Sequence, residues 1–311
     1  MGIVKAVCTS DRRGIQKTDV KSAQFEVGYG ICGDAHGGNW HRQVSLLSAD
    51  KIREFNERGA NVEAGAFGEN LVVEGFDFRS LPVGTVLRCN DVVLEMTQIG
   101  KECHTHCQIY QKMGECIMPV QGVFAEVRHG GTISVGDEMV LAPELKDDRM
   151  TAAVVTLSDK GAKGEREDKS GPLIKKMLED SGYRVIEMVL IPDDLERIKI
   201  ELTRLSDGRQ ANLIVTTGGT GFSPRDCTPE ATMAVATRNA PGIAEAIRAY
   251  SMTITPRAML SREASVIRNQ TLIVNLPGSP KAVEESLGYV LPSLKHGLEI
   301  LAGTASECAR K

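Results

Sequence analysis

The chain is predicted to fold as two domains: a mostly β N-terminal domain of barrel or sandwich type, and a C-terminal α/β three-layer sandwich with a mostly parallel sheet. Three observations lead there. The first half is built of short apolar runs punctuated by glycine, whereas the second alternates Val/Ile-rich runs with amphipathic stretches. A charged, proline-containing segment, Pro143–Arg149, separates the two rhythms in the manner of an exposed connector. A glycine-rich turn, Thr217-Gly218-Gly219-Thr220-Gly221, follows an apolar run and precedes a helix start, as ligand loops at strand ends do. The expected division is 1–142, a linker 143–150, 151–303 and a tail 304–311.

In the first half the runs Gly2–Val7, Asn70–Val73, Gly84–Cys89, Val92–Met96 and Glu138–Leu141 read as strands. One helix interrupts them over Ala49–Arg58: Ser48 can cap it, Ile52 and Phe55 share a face, and Gly59 can stop it. The second half reads as strand Ala152–Leu157, helix Gly171–Ser181, strand Arg184–Ile191, helix Asp194–Leu205, strand Ala211–Thr216, helices Pro229–Thr237 and Gly242–Ser251, strand Thr271–Leu276 and a helix from Ala282. Leu195, Ile198, Leu202 and Leu205 recur at helical spacing, as do the pairs Leu173/Met177 and Ile174/Leu178. Strands rich in Val and Ile between such helices predict a sheet covered on both faces, with ligands beyond the strand C-termini.

Bulk properties narrow the function. A chain of 311 residues, 41% hydrophobic and 25% charged, can bury two cores. A net charge of -4 gives no global attraction to nucleic acid or an anionic membrane, so phosphate partners are expected to be small molecules bound locally. No apolar run reaches the roughly 18 residues of a membrane span. Eight cysteines without an export signal read as thiols of a reducing compartment, and the cytoplasm is the expected location.

The chemistry of the second half gathers at strand ends. Gly218, Gly219 and Gly221 can take positive φ and leave room for a ligand, and the Thr217 and Thr220 hydroxyls can meet oxyanions. Helix starts at Ser170-Gly171, Asp193-Asp194 and Ser279-Pro280 would bring further N–H groups to the same edge. Asp159, Asp168, Asp193 and Asp226 offer carboxylates for Mg²⁺. Each piece also has a plain structural reading: Asp193 with Glu196 matches a capping box, Ser170 and Ser279 are ordinary caps, and Gly219 is a turn glycine.

Residues 151–303 resemble the molybdopterin adenylyltransferase family of the Mog/MoaB type. The resemblance rests on Leu157-Ser158-Asp159, Asp168-Lys169-Ser170-Gly171, Pro192-Asp193, Thr216 to Gly221, Arg225-Asp226-Cys227-Thr228-Pro229-Glu230-Ala231, Pro241-Gly242, Leu260-Ser261-Arg262 and Leu276-Pro277-Gly278-Ser279-Pro280. It implies transfer of AMP from ATP to the terminal phosphate of molybdopterin, with Asp193 and Asp226 as the important aspartates, catalytic and holding Mg²⁺. It implies a ligand cradle of Ser158, Asp159, Ser170, Gly171, Thr217, Gly218, Gly219, Thr220, Gly221, Arg225, Pro277, Gly278 and Ser279, and a homotrimer.

In the first half Lys101-Glu102-Cys103-His104-Thr105-His106-Cys107, with Cys116 nearby, invites three readings. A soft-metal site could use Cys103, Cys107, Cys116 and a histidine; a reactive thiolate at Cys103 could be favoured by Lys101 and the imidazoles; the thiols could be merely structural. Residues 1–142 resemble the MOSC domain, through Gly33-Asp34-Ala35-His36-Gly37-Gly38, Arg42 to Leu47, Gly65-Ala66-Phe67-Gly68-Glu69-Asn70-Leu71, Gly100 to Cys103 and Gly136-Asp137. That resemblance implies a barrel-like fold, and a sulfur-carrying or cofactor-contacting cysteine at Cys103. His36, His41 and Arg42 could line an anion pocket or form an exposed polar loop.

The combined expectation is an enzyme of molybdenum cofactor biosynthesis: a Mg²⁺-dependent, ATP-using molybdopterin adenylyltransferase fused to a MOSC domain, independent of pyridoxal phosphate, that handles sulfur, metal or pterin. A molybdenum insertase and a sulfur donor are its expected protein partners, with neither nucleic acid nor membrane. The alternatives are a non-catalytic molybdopterin carrier, and hydrolysis of another pyrophosphate-bearing nucleotide.

Overall fold

The computed structural model describes residues 1–101 and 108–304. The chain divides into two compact units, Met1–Asp147 and the remainder from Asp148.

In the first unit the described elements are β1 (Gly2–Thr9), β2 (Thr18–Asp19), β3 (Ser22–Glu26), β4 (Gly30–Ile31), β5 (Val44–Ser48), α1 (Ala49–Glu57), β6 (Leu71–Glu74), β7 (Val86–Cys89), β8 (Val92–Ile99), α2 (Gln108–Met113), α3 (Met118–Gln121), β9 (Val123–His129), β10 (Gly131–Ser134) and β11 (Glu138–Leu141). Seven strands run β11-β7-β8-β9-β5-β6-β1, and β1 pairs back to β11 through Gly2 and Met139, closing a barrel. Closure leaves this sheet without a free edge, which settles the barrel-or-sandwich choice. All these pairings are antiparallel except β5 with β6.

Side-chain alternation fills the barrel with Val4, Phe25, Leu46, Leu71, Leu94 and Met96. A second cluster, Cys8, Leu47, Ile52, Phe55 and Phe124 among others, lies under α1 and covers the outer face of β1 and β5. That is why β1 alternates at its start and is buried on both faces at Ala6–Cys8. The expected helix at 49–58 forms, with Ile52 and Phe55 buried; Ser48 takes the N-cap position but its hydroxyl makes no capping bond. Gly59, at φ +94°, ends it. Two further short helices, α2 and α3, have no counterpart in the expected pattern.

The second unit contains β12 (Thr151–Leu157), α4 (Asp159–Ala162), α5 (Ser170–Asp180), β13 (Arg184–Ile191), α6 (Leu195–Thr203), β14 (Leu213–Thr217), α7 (Thr228–Ala234), β15 (Arg238–Asn239), α8 (Pro241–Ile254), β16 (Ser265–Arg268), β17 (Thr271–Leu276) and α9 (Pro280–Leu301). Strands β13-β12-β14-β17 are parallel, and β16 and β15 continue the sheet antiparallel, so the predicted sheet is parallel over four strands and mixed at one side. Period-two alternation sends Val154, Val215 and Val274 to one face, against α5, α8 and α9. It sends Val155, Ile214 and Ile273 to the other, against α6 and α7. Ile198, Leu202 and Leu205 are buried as their spacing predicts, but Leu195, at the first helical position, is 40% exposed. The helix also stops at Thr203 and unwinds into a π turn, Arg204–Gly208.

Candidate functional site

The four parallel strands end on one edge, where the segments beyond their C-termini build a cleft of about 760 Å³. Ser158 lies just past β12, Asp193 just past β13, Thr217-Gly218-Gly219 end β14, and Gly278-Ser279-Pro280 lie past β17; Ser170 and Asp226 complete the same lining. Of the predicted set, Ser158, Ser170, Asp193, Thr217, Gly218, Gly219, Asp226, Gly278 and Ser279 are thus brought together. Asp159, Gly171, Thr220, Gly221, Arg225 and Pro277 support these without lining the cleft. Thr220 is buried, and Pro277 accepts the Thr217 hydroxyl through its carbonyl at 2.7 Å.

The glycine turn is built by close approach. Gly218 and Gly219 have φ of +100° and +63°; Gly221 does not adopt the left-handed region, contrary to the expectation for all three. A Cβ on Gly219 would meet Thr228 Oγ1 at 2.4 Å and Asp193 Oδ1 at 2.8 Å, so this glycine keeps room for protein atoms rather than directly for a ligand. The Thr228 hydroxyl donates to the Gly218 carbonyl at 2.9 Å and its N–H to the Gly219 carbonyl at 3.2 Å, closing the turn onto α7.

Two caps differ from expectation, with consequences for the carboxylates. The α6 N-terminus is capped by Asp194, whose carboxylate accepts the Arg197 N–H at 2.8 Å, so the Asp193/Glu196 capping box does not form and Asp193 is released to the cleft. At α5 it is Asp168 that accepts the N–H groups of Ser170 (3.0 Å) and Gly171 (2.9 Å), along with the Thr156 hydroxyl at 2.7 Å. Asp168 lines the cleft while holding the start of α5, and Ser170 donates its hydroxyl to Gly278 O at 2.9 Å. Ser279 caps α9 as predicted.

Asp193 stands between like charges. Its Oδ2 accepts the Asp159 N–H at 3.1 Å, while Oδ1 is buried with no hydrogen-bond partner. Burial, joined by the charges of Asp159 and Asp226, pushes this carboxyl above the ordinary aspartate range. Asp159 is held below that range by Arg225, which clasps it through Nε (3.0 Å) and Nη2 (2.8 Å). Arg166 and Lys169 add positive charge to the lining; Lys169 lies inside the Asp168-Lys169-Ser170-Gly171 motif, though that motif assigns its side chain no role, and Arg166 lies in no motif.

In the barrel unit Lys17 and Asp34 form a fully buried ion pair, and Lys17 Nζ lies 3.1 Å from His36 Nδ1. Arg42 stacks over Trp40 at 4.8 Å, with Arg13 also within reach of that ring at 5.7 Å. His41 instead faces Gln98 at 2.9 Å. Trp40 touches all three residues of the expected trio, since its Nε1 donates to His36 O at 2.8 Å and its ring centroid lies 6.3 Å from that of His41. Cys103, His104, His106 and Cys107 lie outside the described residues. Cys116 is half-buried against the apolar cluster under α1. Among the described residues, no three His, Cys, Asp or Glu side chains gather as a preformed metal site.

Residues 131–296 match the family described as "Probable molybdopterin binding domain", and residues 33–140 match the MOSC domain. The chain belongs to the molybdopterin-binding domain family. Within it, the chain is 38% identical over 160 residues to a molybdopterin adenylyltransferase of Helicobacter pylori, covering 51% of this chain and 91% of that protein. Identity to the molybdopterin adenylyltransferase of Escherichia coli K12 is 43% over 136 residues, covering 43% of this chain and 70% of the relative. Gephyrin of Dictyostelium discoideum is 42% identical over 166 residues, 50% of this chain but only 23% of gephyrin. A solved MoaB from Thermus thermophilus is 44% identical, with a TM-score of 0.48 over 50% of this chain and 97% of that one. The family match begins ahead of the second compact unit: its residues up to Asp147 fold with the first unit, where β10 pairs with β3 and β11 with β7 and β1.

Proposed function

We propose that the C-terminal domain transfers the adenylyl group of ATP to the terminal phosphate of molybdopterin. The names of relatives that this domain matches over most of their length support this reading. The observation that carries it within the molecule is Asp193: a carboxylate with one buried, unpartnered oxygen at a glycine turn, on a cleft shared with Asp226.

In the reaction a terminal phosphate oxygen of molybdopterin bonds to the α-phosphorus of ATP, the α–β bridging bond breaks, and pyrophosphate leaves with the electron pair. Anions meet anions, so the protein's task is positioning and charge neutralisation. We assign the Gly218-Gly219 backbone, Ser170 and Ser279, with Lys169 and Arg166, to the pterin phosphate. Asp193 and Asp226 suit Mg²⁺: both are hard oxygen donors, one oxygen is unpartnered, and Mg²⁺ commonly takes one or two carboxylates with the remainder from water and phosphate. When bound, the ion would neutralise the triphosphate. Arg225, mostly exposed on its clasp with Asp159, is placed to exchange that carboxylate for a phosphate.

The MOSC domain is assigned the handling of sulfur, metal or pterin, with Cys103 as carrier. A cytoplasmic trimer served by a sulfur donor and a molybdenum insertase completes the reading. No helix of the described residues is long and apolar enough to cross a membrane. The reading is tested by pyrophosphate release: it should require molybdopterin, ATP and Mg²⁺ together, and release without molybdopterin would point to nucleotide hydrolysis instead.

A further inference from the structure

The turn that carries Asp226 has four exposed residues, Phe222 to Arg225. Beyond its own bonds, in which Asp226 Oδ2 accepts the Ser223 N–H at 3.3 Å, and the Arg225 clasp with Asp159, one side chain from outside ties both of its ends. Arg262 lies between α8 and β16. Its N–H donates to Thr220 O at 2.9 Å, its Nε to Gly221 O at 2.7 Å and its Nη2 to Asp226 O at 2.7 Å, while Nη1 pairs with Glu230 on α7. One planar guanidinium therefore spans both ends of the turn and ties it to the following helix. The strap bearing Arg262 is held in turn by Arg248 of α8, which donates to Ser261 O and Glu263 O, each at 3.0 Å.

We infer that Arg262 is a positioning residue for the Asp226 carboxylate, acting through the two carbonyls that bracket the turn. A guanidinium presents donors on three separate nitrogens in a fixed plane, whereas the three donors of a lysine ammonium share one atom and do not reproduce that span. The functional consequence rests on the proposed adenylyl transfer; the geometric claim does not.

The test uses the full chain with Arg262→Lys, Arg262→Met and Glu230→Gln. Hydrogen exchange should speed at least tenfold across residues 219–228 in both Arg262 variants and less in Glu230→Gln, with exchange in β12 and β14 unchanged. In the transfer assay, Arg262→Lys should lower kcat about tenfold and raise the Mg²⁺ concentration for half-maximal rate, leaving KM for molybdopterin within about threefold. Unchanged exchange in the 219–228 segment of both Arg262 variants would overturn the inference, whether or not the wild type turns over. So would a parallel loss of molybdopterin binding, Mg²⁺ response and melting temperature in Arg262→Lys, the pattern of a structural role. A wild type with no transfer activity, but with the local exchange change in the variants, would sink the proposed reaction and leave the positioning claim standing.

Discussion

Asp159 and Asp193 hold each other by reciprocal hydrogen bonds: the N–H of Asp159 donates to Asp193 Oδ2 and the N–H of Asp193 to Asp159 Oδ1, each at 3.1 Å. The pair brings two acidic strand-end segments, after β12 and after β13, into one rigid corner. It also sets carboxylates side by side with Arg225 clasping only one of them.

The corner stores repulsion that a ligand cation can relieve. Because the folded pKa of Asp193 is raised, the folded state binds more protons than the unfolded one above the ordinary value of 3.8, and stability falls as pH rises out of that range. Asp193→Asn keeps an acceptor for the Asp159 N–H and removes the charge. At neutral pH it should stabilise the ligand-free domain by about 1 kcal/mol at most, given partial solvent screening, or roughly 2–4 °C in melting temperature. A melting temperature lowered by the substitution, in calorimetry without metal, would contradict this.

Gly219 is constrained by its neighbours and by φ +63° together. Gly219→Ala should destabilise the domain by about 1–3 kcal/mol by forcing Thr228 or Asp193 to move. Gly219→Val should weaken molybdopterin binding more than ATP binding, because the Asp193 corner and the turn shift together. Calorimetric titration of a folded variant with wild-type pterin affinity would remove the turn from the site.

In the barrel, Glu69 is wholly buried; burial pushes its carboxyl from 4.5 up to about 7, against the Gly65 and Phe67 N–H bonds it accepts. A raised folded pKa contributes stability at low pH that is lost as pH rises from about 4.5 through about 7, on the order of 3 kcal/mol in full. Trp40, the single tryptophan, lies in this unit and reports its unfolding alone. Urea unfolding followed by Trp40 fluorescence should show the wild type losing more stability than Glu69→Gln between about pH 5 and about pH 8. Equal losses would place the titration elsewhere.

For Cys103, the sulfur-carrier assignment predicts fast alkylation at neutral pH, a persulfide mass shift after exposure to a sulfane-sulfur donor, and a Cys103→Ser variant with undiminished adenylyl transfer. Stoichiometric zinc with protected thiols at 103, 107 and 116 would replace the carrier by a metal site.

Local patterns make much of this molecule legible in its sequence. The Val/Ile runs of β12, β13, β14 and β17 and the helical spacing of Ile198, Leu202 and Leu205 point to the covered sheet, and the contiguous Thr217 to Gly221 turn points to the cleft. Strands β5 and β9 carry no such signal because their buried residues do not alternate cleanly: β5 is enclosed on both faces between barrel core and α1. Barrel closure joins Gly2 to Met139, and Arg262 reaches back to Asp226, contacts that no local periodicity announces. The adjacent Asp193 and Asp194 are ambiguous for a different reason: either could cap α6, and only backbone geometry assigns the cap to Asp194.

The central claim is tested most directly by incubating the full chain with molybdopterin, ATP and Mg²⁺ and examining the pterin by mass spectrometry. The account predicts an adenylylated molybdopterin formed with equimolar pyrophosphate, and a fall of order 10² or more in its rate for Asp226→Asn with pterin binding retained. Molybdopterin bound tightly but recovered unmodified would contradict it and leave a carrier protein in place of the enzyme; Asp226→Asn within about threefold of the wild type would contradict the catalytic assignment of Asp226.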